Sequence, residues 1–334
     1  MTTTNSPALL NARIYVAGHR GLAGSAILRA LQAAGAPNVI TRTHAELDLT
    51  DGSAVRAFFV QTQPEYVFLS AAKVGGILAN WKRPAEFIRQ NLAIQTNVIH
   101  EAHCTKVKRL LFLGSSCIYP RDCPQPMKES CLLTGPLEFT NRPYAVAKIA
   151  GIEMCWSYNR QYGTRFIAGM PTNLYGPNDN YDLNYSHVLP ALIRKFHDAR
   201  QRNAREVTVW GSGGVHREFL HSDDMAQACV FLMMLPDELF DRIVHSESCA
   251  PLVNIGFGRD CTIAELVEMI RETVGFDGEI RYDASKPDGT PKKLLDITKI
   301  RELGWHPRIE LQDGLRAVYQ EYQGRSFREE MRCN

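Results

Sequence analysis

Apolar runs alternate with amphipathic stretches from the start of the chain, and this alternation predicts strands separated by helices. Continuous apolar runs occupy residues 13–17, 39–41, 66–70, 109–114 and 166–170. Helical periodicity lies between them, in residues 25–34, 52–62, 91–105 and 143–162. Uninterrupted apolar strands joined by helices are typical of a parallel sheet that is covered on both faces. The pattern therefore predicts an α/β fold built on a doubly wound parallel sheet.

The pattern changes after Pro177, where a polar, loop-like stretch begins. The later segments are a strand at 207–210, a helix at 225–234, a strand at 252–255, a helix at 263–274, a strand at 279–282 and two short helices. The strand at 252–255 is apolar enough to return to the main sheet. We predict a larger domain made of residues 1–177 and 218–257. A smaller C-terminal α/β lobe then consists of residues 178–217 and 258–334.

Three glycines follow the first predicted strand and open the first predicted helix. Gly18, Gly21 and Gly24 are spaced G-x-x-G-x-x-G. Such glycines permit a tight turn, let the backbone approach a pyrophosphate, and let the helix pack closely on the strand. The free N–H groups at the helix N-terminus add partial positive charge for the phosphates. A purely structural turn is the alternative, but this position favours a Rossmann-type dinucleotide-binding domain.

The end of the second predicted strand bears on the choice between NAD and NADP. An acidic residue there would bind the ribose 2′-hydroxyl and repel a 2′-phosphate. The chain has Arg42 and His44 at this place instead, and Arg20 lies inside the glycine loop. Because arginine side chains suit a phosphate group, the sequence predicts NADP(H). Asp48 either contacts the adenine ring or caps the next helix, and the sequence leaves both interpretations open.

Tyr144 and Lys148 are four residues apart in a predicted helix, so they share one face of it. An ammonium beside a phenol favours the phenolate, so we expect Lys148 to lower the pKa of Tyr144 from about 10. Tyr144 could then give a proton to a carbonyl oxygen as hydride reaches the carbon. Ser115 follows the strand at 109–114, at the edge of a parallel sheet where ligands bind. The three residues together predict carbonyl reduction or its reverse.

Composition and charge exclude several other classes of protein. The 334 residues include 38 Lys+Arg and 36 Asp+Glu, a near balance that gives no support for a nucleic-acid or membrane-surface partner. No apolar run reaches the roughly 18–20 residues that a membrane span needs. The first residues lack the basic and apolar parts of a signal peptide, and the nine cysteines show no framework spacing. We therefore expect a cytoplasmic protein with reduced thiols and no metal site.

The serine, tyrosine and lysine match the Ser/Tyr-x-x-x-Lys signature, and the chain resembles the extended short-chain dehydrogenases/reductases. The segments REFLHSDD and PTNLYGP add to this resemblance. In the dehydratases of that family an Asp-Glu pair follows the serine position. Here the segment reads SSCIYP, so Cys117 stands where the carboxylates would be. A thiolate can act as a base, and His187 can return a proton near neutral pH. Taken alone, Cys117 could equally be a core thiol and His187 a loop residue.

Further segments, among them AGHRGLAGSAI, NRPYAVAKIAG and DASKPDGTPKKLLD, resemble the bifunctional 3,5-epimerase-4-reductases of GDP-4-keto-6-deoxy sugars. The resemblance implies that Ser115, Tyr144 and Lys148 are the reductase residues, with Cys117 and His187 as epimerisation base and acid. It implies substrate contacts from Lys195, Trp210, Arg217 and Asp288. It also implies cofactor contacts from Gly18, Arg20, Gly21, Gly24, Arg42, His44, Asp48, Leu49, Ala71, Lys148, Pro171, Asn173, Leu174 and His187. Lys195 stands where relatives can carry arginine, so it keeps the charge but lacks the planar fork.

The resemblance also implies a GDP-sugar substrate, a substrate-binding C-terminal lobe and a homodimer formed by the helices at 91–105 and 143–162. Three alternatives remain at this stage. A sister enzyme for a GDP-4-keto-3,6-dideoxy sugar, as in colitose synthesis, would share the same machinery. A nucleotide-sugar 4-epimerase would keep its cofactor bound and consume none. A non-enzymatic dinucleotide sensor would not need both Tyr144 and Lys148.

Overall fold

The computed structural model of the protein describes residues 9–183, 185–286 and 289–333. The strands are β1 Ile14–Ala17, β2 Val39–Ile40, β3 Tyr66–Leu69, β4 Arg109–Leu113, β5 Phe166–Pro171, β6 Asn173–Tyr175, β7 Glu206–Trp210, β8 His216–His221, β9 Leu252–Ile255, β10 Asp260–Thr262, β11 Glu279–Asp283 and β12 Lys292–Lys293. The helices are α1 Leu22–Ala33, α2 Gly52–Thr62, α3 Ile77–Lys82, α4 Pro84–Cys104, α5 Arg142–Tyr162, α6 Val188–Gln201, α7 Ser222–Met234, α8 Asp237–Val244, α9 Ile263–Val274, α10 Thr298–Glu302 and α11 Leu311–Cys333. Short 3-10 helices cover Ser116–Ile118, Glu129–Cys131 and Phe139–Asn141.

The main sheet of the described chain has six strands in the order β2-β1-β3-β4-β5-β9. Every neighbouring pair is parallel. The residues of β1, β3, β4 and β5 are buried throughout, which requires a covered sheet on both sides. The chain order reverses beside β1, because β2 lies on one side of it and β3 on the other. Ligands of such sheets bind beyond the carboxyl ends of the strands at this reversal. The predicted Rossmann-type fold is confirmed.

Local signals explain where several helices begin and end. The Asp51 carboxylate accepts hydrogen bonds from the backbone N–H groups of Ser53 (2.9 Å) and Ala54 (3.1 Å), which caps α2. Asp51, and not Asp48, is therefore the cap of this helix. Gly163 ends α5 with φ of +66°, a left-handed conformation that glycine adopts at no steric cost.

A smaller set of elements surrounds a second apolar core. This core includes Phe196 of α6, Phe219 of β8, Leu266 of α9 and Leu315 of α11. The strand β8 lies between the two cores, since Leu220 belongs to the larger one. Beside β8 lie β10, antiparallel, and β6 and β12, both parallel. A two-stranded sheet of β7 and β11 completes the lobe.

The structure differs from the predicted elements in identifiable places. Leu295, Ile297, Ile300 and Trp305 pack in the larger core, although the sequence placed residues 258–334 in the smaller lobe. The last helix is not short, because α11 runs for 23 residues. The helices α6 and α8 were not among the predicted elements, although both bury an apolar face. The division into two domains itself stays a prediction.

Candidate active site

The glycine turn between β1 and α1 has no room for side chains at two of its three glycines. Gly18 has φ of +85°, and a Cβ there would lie 2.8 Å from the backbone of Ala71 at the end of β3. A Cβ on Gly24 would clash with the carbonyl of Gly18. Gly21 is the N-cap of α1 and leaves its first N–H groups unbonded by a side chain. The result is a close backbone turn that points a helix N-terminus at the ligand edge of the sheet.

Two arginines flank this turn, as the sequence predicts. Arg20 and Arg42 are exposed, and the charges of both reach Glu46, whose pKa is lowered first by hydrogen bonds from Thr43 and then by these guanidiniums. The Arg42 guanidinium also lies 5.5 Å from the centroid of the Phe58 ring. The arginines therefore share one side of the site, where both could meet a phosphate. Sequence reasoning missed Glu46, a nearby carboxylate that accepts a 2.7 Å hydrogen bond from the Thr43 N–H group.

Other predicted cofactor residues line the same edge of the sheet. His44 and Asp48 are exposed neighbours, with Nδ1 and Oδ1 3.8 Å apart. Leu49 is buried, and its carbonyl accepts a hydrogen bond of 2.9 Å from Asn97. The remaining three lie at the carboxyl end of β5 and the start of β6: Pro171, Asn173 and Leu174. Their position fits contact with a cofactor, and their roles stay predictions.

The Lys148 side chain is buried near the end of β4, and the half-buried Tyr144 ring lies beside it. The Lys148 ammonium donates a 2.8 Å hydrogen bond to the carbonyl of Leu113 and lies 5.8 Å from the centroid of the Tyr144 ring. Burial lowers the pKa of Lys148 to about 8. Burial, together with the nearby Cys117, instead raises the pKa of Tyr144. The prediction that Lys148 lowers the pKa of the phenol is wrong for this structure, because desolvation dominates.

Ser115 and Cys117 begin the turn that follows β4. Cys117 is 6% exposed and Ser115 has an extended backbone. A hydrogen bond with Ser115 lowers the pKa of both Cys117 and Tyr144, so the serine links the two groups. Burial nevertheless raises the pKa of the thiol, while the charges of Lys293 and Lys148 oppose that rise. The structure therefore brings three of the predicted catalytic side chains together at one point of the sheet edge.

His187 lies at the start of α6, and the charge of a lysine that sequence reasoning missed acts on both His187 and Cys117. His187 is the N-cap residue of α6, and burial followed by the charge of Lys293 lowers its pKa. The imidazole still reaches solvent. Lys293 lies in β12, and its charge acts on both Cys117 and His187. The segment KPDGTPKKLL gave no sign of this role, since a lysine pair is ordinarily solvated and only the pairing of β12 with β8 brings it inward.

Three of the four predicted substrate residues lie within the described part of the chain. Lys195 and Trp210 adjoin each other, with the Lys195 ammonium 5.0 Å from the ring centroid. Trp210 is 59% exposed and offers a flat apolar face. Arg217 is paired in register with Lys293 across β8 and β12. Asp288 lies outside the described residues.

The comparison with known families identifies the chain. A family model described as the NAD dependent epimerase/dehydratase family matches residues 14–244. The chain belongs to this family. It is 56% identical over 312 residues to GDP-L-fucose synthase 1 of Arabidopsis thaliana, which covers 93% of each chain. It is 53% identical over 308 residues to GDP-L-fucose synthase of Escherichia coli strain K12, which covers 92% of this chain and 95% of that one.

A solved structure agrees with membership of the epimerase/dehydratase family. The GDP-mannoheptose C4 reductase of Campylobacter jejuni with NADP bound is 41% identical, with a TM-score of 0.85 over 94% of this chain and 99% of that chain. The resemblance derived from the motifs is thus confirmed.

Within the described residues, no group of three or more His, Cys, Asp or Glu residues is arranged to hold a metal ion. The same part of the chain contains no helix long and apolar enough to cross a membrane.

Proposed function

We propose that the protein converts GDP-4-keto-6-deoxy-D-mannose to GDP-L-fucose with NADPH, by inverting C3 and C5 and then reducing C4. The observation that carries the proposal is the meeting of Cys117 with Ser115 and Tyr144, while Lys293 connects the thiol to His187. A reductase requires only the serine, tyrosine and lysine. The thiol and the imidazole add a base and an acid that reduction alone does not use. The names of the fucose synthase relatives support the same reaction.

The chain has the features that NADPH requires. The glycine turn cannot accept a Cβ at Gly18 or Gly24, so its backbone can approach a pyrophosphate. Arg20 and Arg42 are exposed beside it and suit the 2′-phosphate. When bound, the cofactor supplies a hydride to C4 of the sugar. We assign Lys148 to the nicotinamide ribose.

In the epimerisation steps, a carbonyl at C4 makes the protons on C3 and C5 acidic. Cys117 removes such a proton as thiolate, and His187 returns one to the opposite face of the carbon. The pKa shifts favour a neutral thiol and a neutral imidazole in the free protein. One proton passing from Cys117 to His187 therefore creates the working base and acid together. Ser115 and Tyr144 stabilise the negative charge that develops on the C4 oxygen.

In the reduction step, the same Ser115 and Tyr144 hold the C4 oxygen. Burial keeps the Tyr144 phenol protonated, so it is ready to give its proton to the oxygen when the carbon is reduced. Both reactions thus use one pair of hydroxyls. A single site can carry out epimerisation and reduction because enolate and alkoxide place their charge on the same atom.

Product analysis tests the proposal directly. GDP-4-keto-6-deoxy-D-mannose is incubated with the protein and NADPH, and separately with NADH, and the product is identified by NMR. We expect GDP-L-fucose and one NADPH consumed per sugar. A C4-reduced sugar without inversion at C3 and C5 would show that the protein is a reductase without epimerase activity. Turnover without NADPH consumption would indicate a 4-epimerase. Faster turnover of the 3,6-dideoxy ketone would instead indicate the colitose-type enzyme.

The ionisation of Lys148 predicts how the reductive reaction depends on pH. Its pKa is lowered to about 8, so the ammonium is present below that pH and is lost above it. Because kcat/KM reports the ionisation of the free enzyme, kcat/KM for NADPH should fall about tenfold per pH unit above about 8. Measurement between pH 6 and 10 checks this. Lys148→Arg, which stays charged, should flatten the decline; an undiminished wild-type value at pH 10 would contradict it.

We also propose a homodimer formed through α4 and α5, which pack against each other in one subunit. The exposed apolar residues Val146 and Tyr162 of α5 support this proposal. His103 of α4 stacks on Tyr162 at 4.2 Å between ring centroids and presents a second aromatic surface. Light scattering in solution should give a mass of two chains. We also propose a location in the cytoplasm, in keeping with the proposed use of NADPH.

A further inference from the structure

Glu218 is a fully buried carboxylate whose hydrogen-bond donors are mainly backbone N–H groups, with the Thr172 hydroxyl beside them. It is 0% exposed in the strand β8. One carboxylate oxygen accepts a 2.7 Å hydrogen bond from the N–H group of Gly258, and the other accepts a 3.0 Å hydrogen bond from the N–H group of Leu295. Burial raises the pKa of Glu218, and these backbone donors oppose that rise. Burying a carboxylate costs free energy unless it is hydrogen-bonded or paired with a charge. The bonds to Gly258 and Leu295 are therefore what stabilise Glu218 in the core.

Its bond to Leu295 fixes the chain just after Lys293. The strand β12 consists of Lys292 and Lys293 only, and it pairs with His216 and Arg217 of β8. A ladder of two residues is a weak anchor. Glu218 follows Arg217 directly, so its carboxylate extends the attachment of β12 to β8 by two further residues.

The residues on either side of Leu295 are held by a different part of the chain, at Met127. Met127 donates to the carbonyl of Leu294 and accepts from the N–H group of Asp296, both at 2.8 Å. These bonds hold the segment to the loop that follows the turn of Ser115 and Cys117. The Leu295 N–H bond to Glu218 holds it to β8. The carboxylate therefore adds a further attachment, beyond the two-residue ladder, of the Lys293 segment to the strand that carries Arg217.

We propose that Glu218 is a positioning residue that holds Lys293 where its charge acts on Cys117 and His187. The proposal rests on the proposed function for the role of Cys117 as a base. The link from Glu218 to Lys293 rests on the hydrogen bonds and the strand register alone. Loss of the carboxylate lets β12 move, and the ammonium then stabilises the Cys117 thiolate less.

Glu218→Gln is the matched variant, because glutamine keeps the size and removes one acceptor. Its amide nitrogen cannot accept from a backbone N–H donor, so at least one of the bonds to Gly258 and Leu295 is lost. Iodoacetamide alkylation reports the thiolate fraction of Cys117. Trypsin releases residues 110–121 as a peptide in which Cys117 is the only cysteine, so mass spectrometry follows this thiol alone. The variants measured are Glu218→Gln, Lys293→Met, the double variant and Glu129→Gln.

We expect Glu218→Gln and Lys293→Met each to slow alkylation at pH 8 by about three- to tenfold, with a matching rise in the apparent pKa of Cys117. The double variant should be no slower than Lys293→Met, because both changes remove the same charge from Cys117. Glu129→Gln is the control, since Glu129 also accepts from a buried backbone N–H group, that of Asn254. It should alkylate at the wild-type rate.

The positioning role would be overturned if the double variant slowed alkylation by the product of the two single effects. A wild-type alkylation rate in Glu218→Gln would overturn it too. Equal slowing in Glu129→Gln would do so as well, because the effect would then be general loosening of the fold. A different experiment would show that the proposed function is wrong. If Cys117→Ser still exchanged the C3 and C5 protons, Cys117 would not be the base, yet the coupling between Glu218 and Lys293 would remain measurable.

Discussion

Replacing Cys117 with serine is expected to abolish formation of GDP-L-fucose by stopping proton removal at C3 and C5. A serine hydroxyl does not ionise near neutral pH, so the charge of Lys293 cannot make it a base. General-base catalysis contributes roughly 10²- to 10⁴-fold, and exchange should fall by that factor. The measurement is deuterium incorporation from D₂O at C3 and C5 of the keto sugar, followed by NMR without NADPH.

The chain offers a close control for this substitution. Cys123 is also buried and lies six residues further along the same turn region. Its pKa is raised to about 12 by burial and by Cys131, so it is not a base at neutral pH. Cys123→Ser should therefore exchange both protons at close to the wild-type rate. Exchange at the wild-type rate in Cys117→Ser would show that another group removes the protons.

Features that depend on neighbouring residues could be predicted from the sequence. The glycine turn, the Tyr144 and Lys148 pair, and Ser115 with Cys117 each lie within one short segment, and the local pattern assigns that segment to a strand end or a helix. Parallel strands then bring their carboxyl ends to one edge. This is why several separate motifs converged on one site without any knowledge of tertiary contacts.

Features that depend on burial or long-range pairing could not be predicted. Lys293 joins the site only because β12 pairs with β8, and no local pattern distinguishes it from Lys292. The sign of the Tyr144 pKa shift was missed for a related reason. Spacing in a helix shows that Lys148 is near, but desolvation by the rest of the fold outweighs that proximity. Glu218 likewise could not be singled out, because its burial and its bond to Leu295 depend on the folded chain.

Replacing Tyr144 with phenylalanine is expected to block reduction at C4 more strongly than proton exchange at C3 and C5. Phenylalanine keeps the ring, which packs edge-on against Phe87 with centroids 6.3 Å apart, and removes only the hydroxyl. Reduction then lacks its proton donor and should slow by about 10²- to 10⁴-fold. Exchange should slow less, because Ser115 still donates a hydrogen bond to the enolate oxygen.

Single-turnover oxidation of NADPH and deuterium incorporation, measured on the same preparation, separate the two effects of Tyr144→Phe. Tyr175→Phe is the control, since the Tyr175 hydroxyl is buried and has no hydrogen-bond partner among the residues that the structure describes, so its loss should change neither rate. Undiminished reduction in Tyr144→Phe would remove this residue as the proton donor. A larger loss of proton exchange than of reduction would contradict the proposed order. The Tyr144 hydroxyl would then act mainly by stabilising the enolate. The expected order of effects follows from chemistry: an enolate needs only a hydrogen bond, whereas an alkoxide must receive the proton itself.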